Sequence, residues 1–542
     1  MSAFKNLLSL IFIFSSFIAQ AQNKFTISGT ISDAKNGEAL IGATVYIKEL
    51  KLGVITNAYG FYSLTADKGN YTLQVSYVGY ATVEQKLNLN QNQKLNFELA
   101  EETETLGEVV VSGEKADKNI KENKMSSASI EIKQIKKIPI LLGEVDVIKA
   151  VQLLPGIQAA GDGNTLLVVR GGNIDQNLVL LDEAVVYNPS HVVGFFSVFN
   201  GDAIKDFELL KGGVPANYGG RLSSVMDVRM KEGNSKKLGV SGGIGVLSSR
   251  VTVEGPLSKS KDVGSFMISG RRSYFDLFFP LSEQTRDVSA YFFDINAKIN
   301  YKIGEKDRIY LSAYNGRDKL GVAGLIGLGW GNTTTTLRWN HIFTDKLFMN
   351  VSAIYSRYNY NFDLDIARNL NFRRLNYIDD YVLKADFNYY ISPKSSLKFG
   401  ASGTYHIFEP GKRVPITSES LITEAALPRK KALDNYAYIS HKIDVNARLN
   451  IEYGLRISQF SNIGGRSIIY ENNTPNSIVN GAIRPNAQLG FNNYRANEIF
   501  NTYYGIEPRL GTAYQINSSS SLKGSYNRMY QYMNLIQNTT AS

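Results

Sequence analysis

The sequence contains no cysteine. That excludes disulfides, thiolate metal sites and a lipid-modified N-terminal cysteine. Histidine is scarce, with 4 in 542 residues. His191, His341, His406 and His441 stand apart, without the HExxH or HxH spacing of a metal centre. Nucleotide-binding frames are missing as well. Arg170-Gly171-Gly172 and Lys211-Gly212-Gly213 contain neither GxxxxGK[ST] nor GxGxxG. Asp182 ends an apolar run, where a catalytic acid can sit in an α/β enzyme. With no base set around it, a turn cap is the role expected. No catalytic residue, metal or cofactor is therefore expected, and the chain reads as a non-enzyme. Long apolar runs are also few. After the first two dozen residues no segment reaches the 18 or so apolar residues that a membrane helix needs. A membrane location would then require a closed barrel, the other structure that satisfies the backbone in lipid.

The residues that are abundant point to β structure. Tyr (32), Phe (27) and Gly (47) are many and Pro (13) few, which suits strands joined by many turns. The net charge of +10 raises nucleic acid as a partner. The basic residues, however, are scattered among acids and tyrosines. A mixed surface near anionic lipid or lipopolysaccharide is the better reading, with no nucleic-acid partner.

Residues 1–21 have the layout of a secretion signal. Lys5 precedes the apolar run Leu7–Ile18, and Ala19-Gln20-Ala21 fits the small-x-small rule. Cleavage between Ala21 and Gln22 follows. A retained membrane helix would need a longer run.

Residues 23–101 read as a small β-sandwich. Phe25–Ile31, Ala43–Ile47 and Tyr71–Tyr77 alternate, with turn signals at Asn36-Gly37, Tyr59-Gly60 and Lys68-Gly69-Asn70. Residues 102–123 form a polar linker around one hydrophobic patch, Val109-Val110-Val111. Such a patch can add as a strand to a partner sheet. Alternatively it is the last strand of the sandwich or a strand of the next domain.

The unit at 124–230 is organised around Leu166–Ser224. Leu166–Val169 and Leu178–Leu181 are apolar runs closed by turns, as buried strands are. Asp202–Asp206 reads as a short helical turn and Phe207–Leu210 as a third strand. Ser126–Ile132 reads as a strand. Leu142–Leu154 has a helical period, with Glu144 and Asp146 in its first turn and Pro155-Gly156 stopping it.

From 231 to 542 the period becomes two. Phe293, Ile295, Ala297, Ile299 and Tyr301 alternate with Asp294, Asn296, Lys298, Asn300 and Lys302. Val445–Ile457 alternates over about a dozen residues, against the 9–11 that a transmembrane strand needs. Tyrosines at strand ends fit an aromatic girdle. A soluble sandwich or propeller explains the alternation but not its length. Ile303–Asp307 and Ile391–Ser395 read as short periplasmic turns. Glu409–Ala432 and Gly464–Pro508 read as long outer loops. About twelve strands are expected, the last at Arg509–Ile516 and Ser521–Met529.

Several motifs carry a resemblance. VRGG (Val169–Gly172), DQNLVLLD (Asp175–Asp182), YNPSH (Tyr187–His191), FFSVFN (Phe195–Asn200), DAIKD (Asp202–Asp206), KGG (Lys211–Gly213) and YGGRLSS (Tyr218–Ser224) resemble the plug domain of a TonB-dependent outer-membrane receptor. The plug residues singled out are Arg170, Gly171, Gly172, Asp182, Asn188, Pro189, His191, Gly212, Gly213, Gly219, Gly220 and Arg221. One departure is visible: where such plugs often read LLDG-x-P-V-Y, this chain has Leu181-Asp182-Glu183-Ala184-Val185-Val186-Tyr187, without the glycine and proline. His191 is expected to be a turn or packing residue. Arg170 and Arg221 are expected to pair with acids of the barrel wall. GTISDAKNGEALIGATVYIK, NAYGFYSL and GNYTLQVSYVGY resemble the non-catalytic carboxypeptidase-regulatory-like domain found ahead of some of these receptors. EVVVSG, residues Glu108, Val109, Val110, Val111, Ser112 and Gly113, resembles a TonB box.

The resemblance implies a mainly β chain: sandwich, α+β plug and antiparallel transmembrane barrel. Family barrels have 22 strands, so about twelve would make the barrel incomplete and the chain a truncated one. A smaller, twelve-stranded barrel would scarcely admit the plug. The implied function is import of an extracellular ligand. The implied partners are TonB and its inner-membrane energising complex. A ligand-sensing signalling receptor and an exported binding or adhesion protein are the rivals.

Overall fold

The computed structural model describes residues 24–102, 125–135, 146–161, 164–259, 263–367, 369–464, 466–470, 478–479, 482–483, 489–495 and 497–534. Ala21, Gln22 and Glu108–Gly113, the expected cleavage site and TonB box, lie outside them. Two compact units emerge, the first built on residues up to 109 with 342–348 and 388–397, the second on the remainder.

In the first unit, two sheets form a sandwich. One pairs Lys24–Asp33 with Phe61–Asp67, Gln93–Lys94 and Phe97–Leu99. The other runs Leu52–Ile55, Thr44–Ile47, Gly69–Ser76, Val83–Leu89. Ile27, Ile31, Val45, Ile47, Leu73 and Val75 are fully buried between them. Alternation puts these side chains on the inner faces, each burial contributing roughly 1.5–3 kcal/mol.

The second unit contains the plug sheet. Its order is Ala184–Val185, Asn177–Leu181, Ser224–Met230, Ile204–Leu210, Ser127–Glu131. Asn177–Leu181 and Ser224–Met230 run parallel; the other neighbours are antiparallel. A core of Val147, Val151, Val179, Phe199, Phe207 and Val228 packs against it. Two expectations change here. The helix within Leu142–Leu154 covers only Val147–Gln152 among the described residues. Asp146 is its N-cap rather than a first-turn residue, accepting from Ile148 N (2.9 Å) and Lys149 N (3.1 Å). Ile204–Asp206 is not helical. It opens the strand that runs to Leu210, pairing Ile204 with Met230 and Asp206 with Arg229 across a bulge that lets Ile204 and Phe207 both be buried.

From Gly239 onward lies a 14-stranded sheet, rather than about twelve strands. Strands follow one another in sequence order, and the two-residue Ala425–Ala426 strand attaches to Ser395–Pro415. Gly239–Ile244 and Ser521–Asn527 end the path, and no pairing joins them among the described residues. Several strands exceed the expected length: Asn371–Ser392 has 22 residues and Ser395–Pro415 has 21. Glu409–Pro415 is therefore strand, not loop, and Ile499–Gln515 takes in the residues before Pro508 as well. The Val445–Ile457 alternation begins four residues late. Val445–Arg448 form a turn in which Asn446 Oδ1 accepts from Arg448 N and Leu449 N.

Burial in this sheet is inverted relative to a soluble core. In Val288–Ile303, Ile295, Ile299 and Tyr301 are about half exposed, whereas Asp294, Asn296, Lys298 and Asn300 are buried. Leu449–Ile463 repeats this, with Tyr453, Leu455 and Ile457 outside and Arg456 and Ser458 inside. An apolar outer stripe over a polar inner face is the pattern of a strand wall in lipid. No helix among the described residues is long and apolar enough to cross a membrane.

Candidate functional site

The polar inner face of the strand wall meets the plug, and most of the charged contacts fall on two plug segments. The first is the hairpin tip. Leu181 pairs with Ala184, leaving Asp182-Glu183 as a two-residue turn. Both have left-handed backbone, φ +46° and +75°. This is the type I′ geometry usually supplied by Asn-Gly, so the turn that lacks glycine keeps a glycine-type backbone. Each non-glycine residue there costs roughly 1–2 kcal/mol.

The tip is held from several strands. Asp182 Oδ1 accepts from Met230 N (3.0 Å), and its Oδ2 lies 2.9 Å from Lys298 Nζ. The Asp182 carbonyl accepts from Thr336 Oγ1 (3.0 Å) and Arg338 Nη2 (3.3 Å). Glu183 Oε1 lies 3.0 Å from Arg338 Nε and accepts from Asn350 Nδ2 (3.1 Å), and its Oε2 is 3.6 Å from Lys384 Nζ. Asp182 is thus more than a turn cap: it is one half of a buried ion pair.

The second segment is Tyr187–Gly194. Tyr187 donates to Asp380 Oδ2 (2.6 Å), whose other oxygen is 2.7 Å from His406 Nδ1. Burial first, then the Asp380 charge, push the Tyr187 phenol well above its ordinary range. Asn188 Oδ1 accepts from the Ser190 hydroxyl (2.6 Å), the Asn188 carbonyl accepts from Asn332 Nδ2 (2.7 Å), and the Pro189 carbonyl from Val198 N (3.0 Å). His191 is fully enclosed. Its Nδ1 lies 2.6 Å from Asp318 Oδ2, its Nε2 lies 2.6 Å from Asp294 Oδ1, and its ring stacks on Phe292 at 4.4 Å. With a carboxylate at each nitrogen, both must donate, so the ring is an imidazolium. Burial pulls its pKa down, but Asp294 and Asp318 outweigh that and raise it to about 9. His191 stands at the head of the turn Val192–Gly194 and packs on Phe292, and to that it adds the part of a buried cation. Arg271 Nε donates to Asp294 Oδ2 (2.7 Å) and Tyr314 OH to Asp294 Oδ1 (2.8 Å). Val192 N donates to Asp318 Oδ1 (2.8 Å). Val192 and Val193 have φ +50° and +54°, which for β-branched residues marks strain.

Beyond the plug sheet, Glu232 is buried 3.1 Å from Arg308 Nη2. Burial raises its pKa, but Arg308, Lys205 and Lys298 hold it below the usual carboxylate range.

The arginines singled out behave differently from expectation. Arg170 Nη2 donates to Ser126 Oγ (2.5 Å), inside the plug. Arg221 is buried, and its Nη1 meets the carbonyls of Gly220 (3.2 Å) and Met533 (3.5 Å). Ion pairs to the wall are made instead by His191, Asp182, Glu183 and Asp202, the last with Arg250 Nε at 2.7 Å. Gly171, Gly172, Pro189 and Arg221 share the lining of one cavity of about 460 Å³ with Tyr187. Gly212, Gly213 and Gly220 shape the connections around the Ile204–Leu210 and Ser224–Met230 strands. At Gly219 a Cβ would fall 2.6 Å from Arg456 Nε, so the wall arginine reaches the plug backbone only past glycine. Among the described residues no cluster of acids and histidines could hold a metal ion.

The wall partners Asp294, Asp318, Lys298, Arg338, Lys384 and Asp380 were not legible as a site. Their one signal is charge at every second position of a strand.

Residues 27–111 match the CarboxypepD_reg-like domain family, and residues 120–224 match the TonB-dependent Receptor Plug Domain family. TonB-dependent receptor SusC of Bacteroides thetaiotaomicron is 31% identical over 251 residues, covering 43% of this chain and 23% of the relative. TonB-dependent receptor P39 of Formosa agariphila is 21% identical, covering 93% of this chain and 48% of the relative. The chain thus spans about half or less of the length of these relatives. Among solved structures, the copper transporter OprC (TM-score 0.53, 13% identity, 75% of this chain and 65% of that one) shares the fold. So does the ferric citrate transporter FecA in its unliganded form (TM-score 0.53, 13% identity, 75% and 63%).

Proposed function

We propose that this chain, which carries a carboxypeptidase-regulatory-like domain followed by a TonB-dependent receptor plug, works as an outer-membrane importer of an extracellular ligand rather than as an enzyme. One observation supports this most: a plug sheet is tied by buried charge to the polar inner face of strands whose apolar side chains point outward. Such a wall belongs in lipid, and such a plug closes its lumen. Ligand meets the outer loops, and the short turns and the N-terminal sandwich lie in the periplasm.

Energy enters through TonB and its inner-membrane complex. Glu108–Gly113 supplies the strand that TonB's sheet takes up, since Val109-Val110-Val111 is a run of β-branched residues within a polar stretch of sequence. The pulled segment leads into Ser127–Glu131, which is an edge strand of the plug sheet, so force reaches the sheet at one of its edges. Residues 1–21 direct export, 23–101 form the sandwich, 102–123 the linker, 124–230 the plug and 231–542 the barrel wall.

The test uses the full chain in bilayer discs and the soluble C-terminal domain of TonB. Binding is expected for the wild type. Val110→Pro, which removes a ladder donor, should abolish it while heat-modifiable migration on a gel is kept. Equal binding by both proteins contradicts the assignment of the segment, and a chain that stays out of the outer-membrane fraction contradicts the importer.

A further inference from the structure

The hairpin tip combines two features that do not ordinarily occur together. Glu183 takes φ +75°, a position where glycine is free of strain. Its carboxylate is enclosed by Arg338, Asn350 and Lys384, three side chains from three different wall strands, Ile326–Thr344, Leu347–Asp365 and Asn371–Ser392. Asp182, beside it, reaches a fourth through Lys298 in Val288–Ile303. Local turn chemistry disfavours glutamate here; the wall chemistry favours it. We infer that Glu183 is a positioning residue that seats the plug hairpin on the wall, its strained backbone kept in place by the contacts of its carboxylate.

The inference does not depend on what the receptor imports, or on whether it imports. Its consequence for an importer is that the Asp182–Glu183 edge of the sheet holds to the wall independently of the Ser127–Glu131 edge, five strands across.

Backbone and carboxylate are separated by three substitutions. Glu183→Ala keeps the strain and removes the carboxylate. Glu183→Gly removes both. Glu183→Gln keeps the shape and removes the charge. The readout is amide hydrogen exchange in the full chain in bilayers, at Asp182, whose N–H bonds the Val228 carbonyl, and Val186, whose N–H bonds Val179. Both amides should exchange slowest in the wild type, faster in Glu183→Gly by about tenfold, as befits a lost charge-assisted contact, and fastest in Glu183→Ala. Glu183→Gln should also exchange faster than wild type. Exchange in Glu183→Gly as slow as wild type or slower would show that turn strain outweighs the clasp and overturn the inference. Wild-type exchange in Glu183→Gln would do the same for the role of charge. Because neither reading involves transport or TonB, failure here is distinct from failure of the importer proposal.

Discussion

Nε2 of His191 lies 2.6 Å from Oδ1 of Asp294, joining residues 103 apart in sequence and a plug loop to a wall strand. Asp318 closes the other side of the ring, and Arg271 and Tyr314 occupy the rest of Asp294. Two carboxylates are thus neutralised by two cations, and all four side chains are buried.

That arrangement sets a pH dependence. The folded pKa of His191, about 9, is above the ordinary histidine value of about 6.5. Its stabilising contribution is complete below about 6.5 and is lost as pH rises through about 9. The denaturant midpoint for plug release, followed by exchange of the Val192 amide region, should fall between neutral pH and pH 10. In His191→Gln the fall should vanish. That variant should also be weaker at neutral pH by about 3 kcal/mol, the cost of leaving buried charge unpaired. A midpoint that stays level in the wild type removes the imidazolium from the account.

Val193 follows the same loop and is largely exposed, yet its φ is +54°. Among the described residues it belongs to none of the buried apolar clusters, so a smaller residue forfeits little there. Val193→Gly should therefore stabilise the plug by about 1 kcal/mol, strain relief of roughly 1–2 kcal/mol being offset in part by added freedom in the unfolded chain. Equilibrium denaturation of the wild type and the variant measures it. Destabilisation would mean that the valine side chain has a contact partner in the working receptor.

What could be read beforehand follows from what each signal contains. The two-residue period of Phe293–Lys302 fixed both the strand and which side chains turn inward, because alternation is local geometry. The inward Asp294 and Lys298 were visible as a polar face. Their partners His191 and Asp182 were not, because pairing across a hundred residues depends on register and docking, which no local pattern carries. Strand ends escape the sequence pattern where polarity mimics a loop. Glu409–Pro415 stays in the sheet because extended strands continue past the apolar band. Val445–Arg448 departs in the opposite sense: its alternation persists, but Asn446 turns the chain. The Asp182-Glu183 turn was flagged by its missing glycine. That a glycine-type turn persists without glycine became explicable only once Lys298, Arg338 and Lys384 were in place around it.

The central claim is that the outward stripes face hydrocarbon. Because the chain has no cysteine of its own, single cysteines can be placed without background. Cysteines replacing Ile295, Leu455 and Ile457, on the outer face, and Asn296 and Ser458, on the inner face, would carry a fluorophore in lipid vesicles containing a bilayer-restricted quencher. Strong quenching at 295, 455 and 457 and weak quenching at 296 and 458 is the predicted result. Equal quenching at both sets, or ready access of all five to a water-soluble thiol reagent, would contradict it.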